Sequence, residues 1–137
     1  MKKLISTTNP ISAPAAKVWA NLRTGEGVDK WLPPVTACRV EGNRRYCEAG
    51  DARLEETIEE SSDETMTFCY SIQKQDMIPV TDIAGTIRVE AVDADNSLLH
   101  WDVDFDVESE ELFGQLKPQI EGMYTAAAAG LGELAVA

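Results

Sequence analysis

The most regular apolar pattern of the chain lies in its last quarter. Between Leu112 and Leu134, apolar residues recur at steps of one, three and four, which keeps them on one face of a helix. The segment is also rich in alanine, the residue with the highest helix propensity. The pattern predicts one long C-terminal helix. Pro118 lies inside it and cannot donate to the carbonyl of Gly114, so the residues before Pro118 are expected to form a separate turn or a kinked first segment.

The middle of the chain alternates apolar and polar residues with a period of two, the pattern of half-buried strands. The clearest example runs from Leu99 to Val107, where the polar positions are mostly aspartate. An earlier strand near the N-terminus is expected to end before Pro10. Because these strands follow one another after one early crossover, we expect one antiparallel sheet with the helices on one side. The predicted strands span residues 3–9, 35–41, 44–49, 52–60, 65–74, 80–92 and 99–107.

Two short helices are predicted between the first strand and the rest of the sheet. Residues 14–23 form the first, after a Ser12 cap, and residues 27–31 form the second, before Pro33-Pro34. The predicted fold is α+β: a curved antiparallel sheet of about seven strands around a long C-terminal helix. The length suits a single domain, residues 1–137.

The chain is strongly acidic, with 24 acidic and 12 basic side chains and a formal net charge of −12. Such a surface disfavours nucleic acid and anionic membranes. No apolar run approaches the roughly 18 residues of a membrane span, and the N-terminus turns polar at Ser6, too early for a signal peptide. We therefore predict a cytoplasmic protein with no membrane insertion. The acidic surface serves either for solubility or as a docking face for a basic partner, formed by Asp102, Asp104, Asp106 and Glu108.

Two turns set the register of three predicted strands. If Gly42-Asn43 and Gly50-Asp51 are two-residue hairpin turns, Arg45 faces Glu56 on the neighbouring strand. Glu56 shares a face with apolar neighbours, which marks that face as the inner one. A buried carboxylate beside a guanidinium forms a charge-assisted ion pair. The pair is interpreted either as a salt bridge that fixes the register, or as a polar anchor for a ligand, or as a general base if Arg45 moves away.

The three cysteines do not indicate a disulfide framework or a zinc site, because their number is odd and no CxxC motif is present. The same register places Cys38 opposite Cys47, close enough for a cross-strand disulfide. In a reducing cytoplasm the two thiols are expected to stay separate and to pack as small apolar groups. The single histidine, His100, falls on the acidic outer face. We expect neither a metal nor a cofactor.

The inner face of the predicted sheet is large, apolar and partly aromatic. A helix laid across such a face often leaves a cavity. Its entrance is expected near Pro118, opposite the loop around residues 77–79. No Ser-His-Asp order or glycine-rich phosphate loop is present. The candidate ligand-binding residues are Trp31, Arg45, Glu56, Phe68, Tyr70, Ile87, Trp101, Phe105, Met123 and Tyr124.

The order of these elements resembles the helix-grip fold of the START/Bet v 1-like superfamily. Within it, the chain resembles the bacterial polyketide cyclase/dehydrase (SRPBCC) family. The residues that carry the resemblance are scattered over the chain: Ile11-Ser12-Ala13-Pro14 with Lys17-Val18-Trp19, Trp31-Leu32-Pro33, Arg45, Gly50, Glu56, Tyr70-Ser71-Ile72, Ile78-Pro79-Val80, Trp101, Phe105, Tyr124 and Gly130-Leu131.

The resemblance implies binding of an apolar or amphipathic small molecule between helix and sheet. We expect a lipid, quinone or polyketide-like ligand and no catalysis, since the chain lacks an inward histidine or a cluster of inward acids of the kind a cyclase would use. Two alternatives stay open. One is a cyclase, dehydratase or hydrolase with Glu56 as general base. The other is an acidic protein-interaction module whose interior is too tightly packed for a ligand.

Overall fold

The computed structural model describes residues 1–137 and contains one seven-stranded sheet, two α-helices and a 3₁₀ turn. The helices are α1 (Ala15–Ala20) and α2 (Glu110–Val136), and the 3₁₀ turn is Val28–Lys30. The predicted α+β arrangement of a sheet around a long C-terminal helix is confirmed. The strands are β1 (Lys2–Ile11), β2 (Ala37–Glu41), β3 (Arg44–Ala49), β4 (Ala52–Ser62), β5 (Thr67–Gln75), β6 (Thr81–Ala91) and β7 (Ser97–Asp106).

The sheet is antiparallel throughout, in the order β1-β7-β6-β5-β4-β3-β2. Gly42 and Gly50 each have a φ of +63°, a left-handed value that glycine accepts without strain. They begin the two tight turns that set the register of β2, β3 and β4, and both predicted registers are confirmed. Bulges interrupt the β4–β5 pairing at Glu55/Glu56 and Ile58/Glu60. Bulges bend and twist a strand, which helps the sheet to curve.

β1 continues through Pro10 to Ile11, so the prediction that Pro10 ends it is wrong. The physical reason is the position of β1 at the edge of the sheet, where it pairs only with β7. An edge strand tolerates a proline because one side of its backbone needs no ladder hydrogen bond.

α2 is one continuous helix, so the first of the two alternatives, a separate turn before Pro118, is wrong. The second, a kinked first segment, stays a prediction. The helix begins after Ser109, whose Oγ accepts a hydrogen bond from the Leu112 amide at 3.1 Å. Pro118 removes the donor to the carbonyl of Gly114, but both residues are exposed, so water can solvate that carbonyl.

The two short helical pieces after β1 are shorter than predicted. α1 ends at Ala20, and the second piece is only a 3₁₀ turn. They still bury apolar side chains, including Val18, Trp19 and Val28, against the core between sheet and α2. No helix in the structure has the length and apolar character that crossing a membrane requires.

Candidate functional site

A cavity of about 390 Å³ lies between the inner face of the sheet and α2. Residues of β3 to β7, of α2 and of the segment between α1 and β2 form its wall. Of the 29 residues that line it, 21 are hydrophobic, so the wall suits an apolar ligand. The volume lies within the range of about 300–1,000 Å³ that is usual for small-molecule sites.

All ten candidate residues predicted from the sequence line this cavity. Nine of them are buried, and Met123 is half-buried. The structure therefore brings the whole predicted set together, while their role in binding stays a prediction. The ten are Trp31, Arg45, Glu56, Phe68, Tyr70, Ile87, Trp101, Phe105, Met123 and Tyr124.

The one buried ion pair of the cavity wall joins β3 to β4. Arg45 and Glu56 face each other, as predicted, and are only 6% and 4% exposed. Arg45 donates from Nε to Glu56 Oε2 at 3.1 Å and from Nη2 to Oε1 at 2.9 Å. Its Nη1 donates to the carbonyl of Gly25 at 3.1 Å, which ties the loop after α1 to the pair. The two charges therefore compensate each other inside an apolar wall.

The geometry of this ion pair affects whether Glu56 can act as a general base. A general base needs a carboxylate oxygen within reach of the proton that it removes. Both oxygens of Glu56 already accept hydrogen bonds from Arg45. Glu56 therefore forms an ion pair in which neither carboxylate oxygen is free of a hydrogen bond from Arg45.

Three aromatic side chains from three elements meet inside the wall. Two of them stack, and two share the second polar contact of the wall. The rings of Trp101 and Tyr124 stack with centroids 3.8 Å apart and planes 7° apart. Trp101 Nε1 donates a hydrogen bond to the Tyr70 hydroxyl at 3.0 Å. β5, β7 and α2 are thus joined at one point of the cavity.

Both tyrosines of this cluster are neutral phenols over the usual pH range. Burial raises the pKa of Tyr70 to about 12. Burial also raises the pKa of Tyr124 well above its usual value, and the neighbouring Tyr70 phenol raises it further. Neither can serve as an anionic group near neutral pH.

Gly85 on β6 leaves room for the Tyr70 ring. A β-carbon at position 85 would lie 2.3 Å from Tyr70 Cζ and from its hydroxyl. Sequence reasoning missed this contact, because a single glycine within a strand does not reveal what packs against it.

The loop between β5 and β6 is braced by Gln75, another residue that the sequence did not single out. Gln75 Oε1 accepts from the amides of Met77 and Ile78 at 2.9 and 3.0 Å. Its Nε2 donates to the carbonyls of Ile78 and Val80 at 2.7 and 3.0 Å. Met77 and Ile78 line the cavity, as does Gln119 on α2, so the predicted entrance region flanks the cavity. That this region opens stays a prediction.

Cys38 and Cys47 form a disulfide, so the expectation of separate thiols is wrong in this structure. They occupy directly facing positions on β2 and β3 with their Cα atoms 4.1 Å apart. This close approach is typical of a non-hydrogen-bonded pair, and it brings the two sulfurs together. Cys47 is buried and lines the cavity, so the disulfide backs part of the wall.

The acidic side chains of β7 alternate with its buried residues and lie on the outer face of the sheet, away from the cavity. His100 lies on the same outer face, where its Nε2 is 2.7 Å from Glu90 Oε1. No group of three or more histidine, cysteine, aspartate or glutamate side chains is arranged to hold a metal ion.

The fold and the apolar cavity between sheet and α2 are those of a helix-grip protein. A family model described as polyketide cyclase / dehydrase and lipid transport matches residues 3–136, and the chain belongs to this family. A search of curated protein sequences finds no match.

Solved structures with the same fold include members of several groups. XoxI from Bacillus cereus is 22% identical with a TM-score of 0.84, over 97% of this chain and 95% of that one. A START superfamily protein from Mycobacterium smegmatis is 14% identical with a TM-score of 0.71, over 93% and 98%. The Zhui aromatase/cyclase from Streptomyces sp. R1128 is 17% identical with a TM-score of 0.75, over 99% and 94%. The resemblance found in the sequence is therefore confirmed at the level of family and fold.

Proposed function

We propose that this protein binds a hydrophobic or amphipathic small molecule, such as a lipid, a quinone or a polyketide-like compound, and does not transform it. The observation that carries the proposal is the cavity of about 390 Å³ with a mainly apolar wall. Protein interiors are otherwise packed to the density of organic crystals, so a space of this size between sheet and helix is an exceptional feature.

The state of Glu56 supports binding without catalysis. It is the only carboxylate with the burial expected of a catalytic acid or base, at 4% exposure. Its two oxygens are held by Arg45, and Arg45 is in turn held by Gly25. Moving Arg45 away from Glu56 would break three buried hydrogen bonds and leave a buried charge without its partner.

The cavity also weighs against the alternative of a protein-interaction module. That alternative required an interior too tightly packed for a ligand. The acidic side chains Asp102, Asp104 and Asp106 are then explained as a solvated outer face, which keeps the protein soluble.

A neutral fluorescent probe tests the proposal. N-phenyl-1-naphthylamine emits strongly only when removed from water, and we expect saturable binding to the native protein. Met123→Trp places a large side chain at the cavity wall and should weaken binding by about tenfold or more, a loss of about 1.4 kcal/mol. Gln115→Trp is the matched control, since Gln115 is exposed on the same helix and does not line the cavity.

The two variants separate cavity binding from surface adsorption. Equal loss of probe binding in both variants, or binding that never saturates, would contradict the proposal. Circular dichroism of each variant checks that the fold is kept.

A further inference from the structure

One side chain of the cavity wall carries a buried polar atom that has no partner within the protein. Trp31 lines the cavity and is 5% exposed, and its indole Nε1 is the only buried side-chain nitrogen or oxygen in the chain without a hydrogen bond. An unsatisfied buried donor is unfavourable, and native proteins contain few of them. The unpaired N–H therefore calls for an acceptor that the protein does not supply.

The position of Trp31 is well defined by its neighbours. Its backbone is in close contact with α2 at Gly130, where a β-carbon would lie 2.5 Å from the Trp31 carbonyl oxygen. Its ring lies 6.1 Å from that of Trp101, at 60°. Large movements of the residue toward another protein acceptor would therefore disturb the contact with α2.

Two polar contacts of the wall are already made within the protein. Arg45 and Glu56 bond to each other, and Trp101 donates to the hydroxyl of Tyr70. Trp31 Nε1 is thus the buried donor of a cavity-lining side chain that no group of the protein satisfies.

The chemistry of the donor limits the ligand. An indole N–H donates and cannot accept, so the ligand must present an acceptor atom. The only buried positive charge of the wall, on Arg45, is compensated by Glu56. A ligand carboxylate would lose its hydration without gaining a counter-ion, and the net charge of −12 further disfavours an anion.

We infer that the ligand is a neutral molecule with a carbonyl oxygen that accepts a hydrogen bond from Trp31 Nε1. The inference rests on the proposed function, because it specifies which ligand the cavity takes. It makes Trp31 the residue that selects ketones, quinones and esters over hydrocarbons of the same shape.

Two pairs of probes that differ only in the carbonyl test the inference: 9-fluorenone with fluorene, and benzophenone with diphenylmethane. Each is titrated by displacement of N-phenyl-1-naphthylamine from the native protein, from Trp31→Phe and from Trp19→Phe. The quantity compared is the ratio of ketone affinity to hydrocarbon affinity, which cancels changes in cavity shape that affect both members of a pair.

Trp19→Phe is the matched control. Trp19 is also a buried tryptophan, but its Nε1 donates to Asp63 at 2.8 Å and it does not line the cavity. We expect Trp31→Phe to lower the ketone-to-hydrocarbon ratio by about 3- to 10-fold, the worth of one neutral hydrogen bond, and Trp19→Phe to leave it unchanged.

Nuclear magnetic resonance on the native protein gives a second readout that does not depend on the folding of a variant. The indole N–H resonance of Trp31 should move with 9-fluorenone far more than with fluorene, whereas that of Trp19 should stay in place.

The outcomes separate this inference from the proposed function. If all four probes bind, while the ratio is the same in Trp31→Phe and the Trp31 resonance responds equally to ketone and hydrocarbon, the inference is overturned and the proposed function stands. If neither these probes nor N-phenyl-1-naphthylamine binds, the proposed function fails and the inference fails with it.

Discussion

Arg45 and Glu56 face each other on β3 and β4 and share two hydrogen bonds, of 2.9 and 3.1 Å, in the wall of an apolar cavity. Taking two charges out of water is costly, and their mutual attraction repays the cost only while both partners are present. The pair therefore stabilises the register of these strands without offering a free charge to a ligand.

Removing one partner of this pair should be far more harmful than removing both. Arg45→Met leaves Glu56 as a buried charge without a counter-ion and should lower the free energy of unfolding by about 3–5 kcal/mol. The double variant Arg45→Met/Glu56→Leu should recover most of this loss. Urea denaturation followed by circular dichroism measures both.

An exposed pair supplies the control. Arg39 and Glu41 bond at 3.0 Å, but their side chains are 67% and 62% exposed. Arg39→Met should change stability by no more than about 1 kcal/mol. A double variant of Arg45 and Glu56 that is less stable than Arg45→Met alone would contradict this account of the buried pair.

The small size of residue 85 should be essential for the packing of Tyr70. Gly85→Ala places a β-carbon 2.3 Å from the Tyr70 ring and should lower the free energy of unfolding by about 1–3 kcal/mol through overpacking. Gly122→Ala is the opposite case, because nothing lies within 4 Å of its added carbon and the residue is helical. It should raise stability by up to about 1 kcal/mol. Equal effects of the two substitutions would contradict the assigned packing.

The sequence predicts those features that depend on short-range patterns. The turns at Gly42 and Gly50 set the register, and the register alone placed Arg45 opposite Glu56 and Cys38 opposite Cys47. Period-two alternation likewise assigned Phe68 to the inner face, where it lies. These inferences succeed because a strand has only two faces and a two-residue turn permits only one pairing.

Features that depend on packing across the molecule were not predictable. The fit of Gly85 against Tyr70 and the unpaired indole N–H of Trp31 arise only when sheet and helix come together. The separate turn before Pro118 was predicted wrongly because local propensity does not show whether the freed carbonyl of Gly114 faces water. The state of Cys38 and Cys47 was misjudged because it was argued from the expected compartment, although the geometry had been predicted correctly.

The disulfide between Cys38 and Cys47 should stabilise the fold by closing a short loop. The two residues are 9 apart in sequence, and a cross-link of this span is worth about 2–3 kcal/mol in the chain-entropy model. Reduction should lower the free energy of unfolding by that amount, and a Cys38→Ala variant should not respond to reductant.

Without reductant, only Cys69 should be alkylated after unfolding. Alkylation of all three cysteines would contradict the assignment.

Stability should fall at high pH because of the buried tyrosines. The pKa of Tyr70 is raised to about 12 by burial, while an unfolded tyrosine titrates near 10. Below pH 10 both states hold the proton, so the full stability is present. Between about pH 10 and 12 only the unfolded state loses it, and stability falls by about 1.4 kcal/mol per pH unit for this residue.

Denaturation curves at pH 9, 10, 11 and 12 measure this slope. Tyr70→Phe should show a shallower decline than the native protein, because one titrating group has been removed. Identical slopes in the two proteins would contradict the burial of an ionisable Tyr70.

The most direct test of the central claim is a map of ligand contacts by methyl nuclear magnetic resonance. The methyl groups of Ile83, Ile87 and Met123 line the cavity, whereas those of Leu4 and Val92 are exposed outside it. On titration with a fatty acid methyl ester, a quinone and an aromatic ketone, we predict saturable shifts of the three cavity methyls by at least one ligand, with Leu4 and Val92 unchanged. Shifts confined to Leu4 and Val92, or no shift with any ligand, would contradict the claim that this protein binds hydrophobic molecules in its interior.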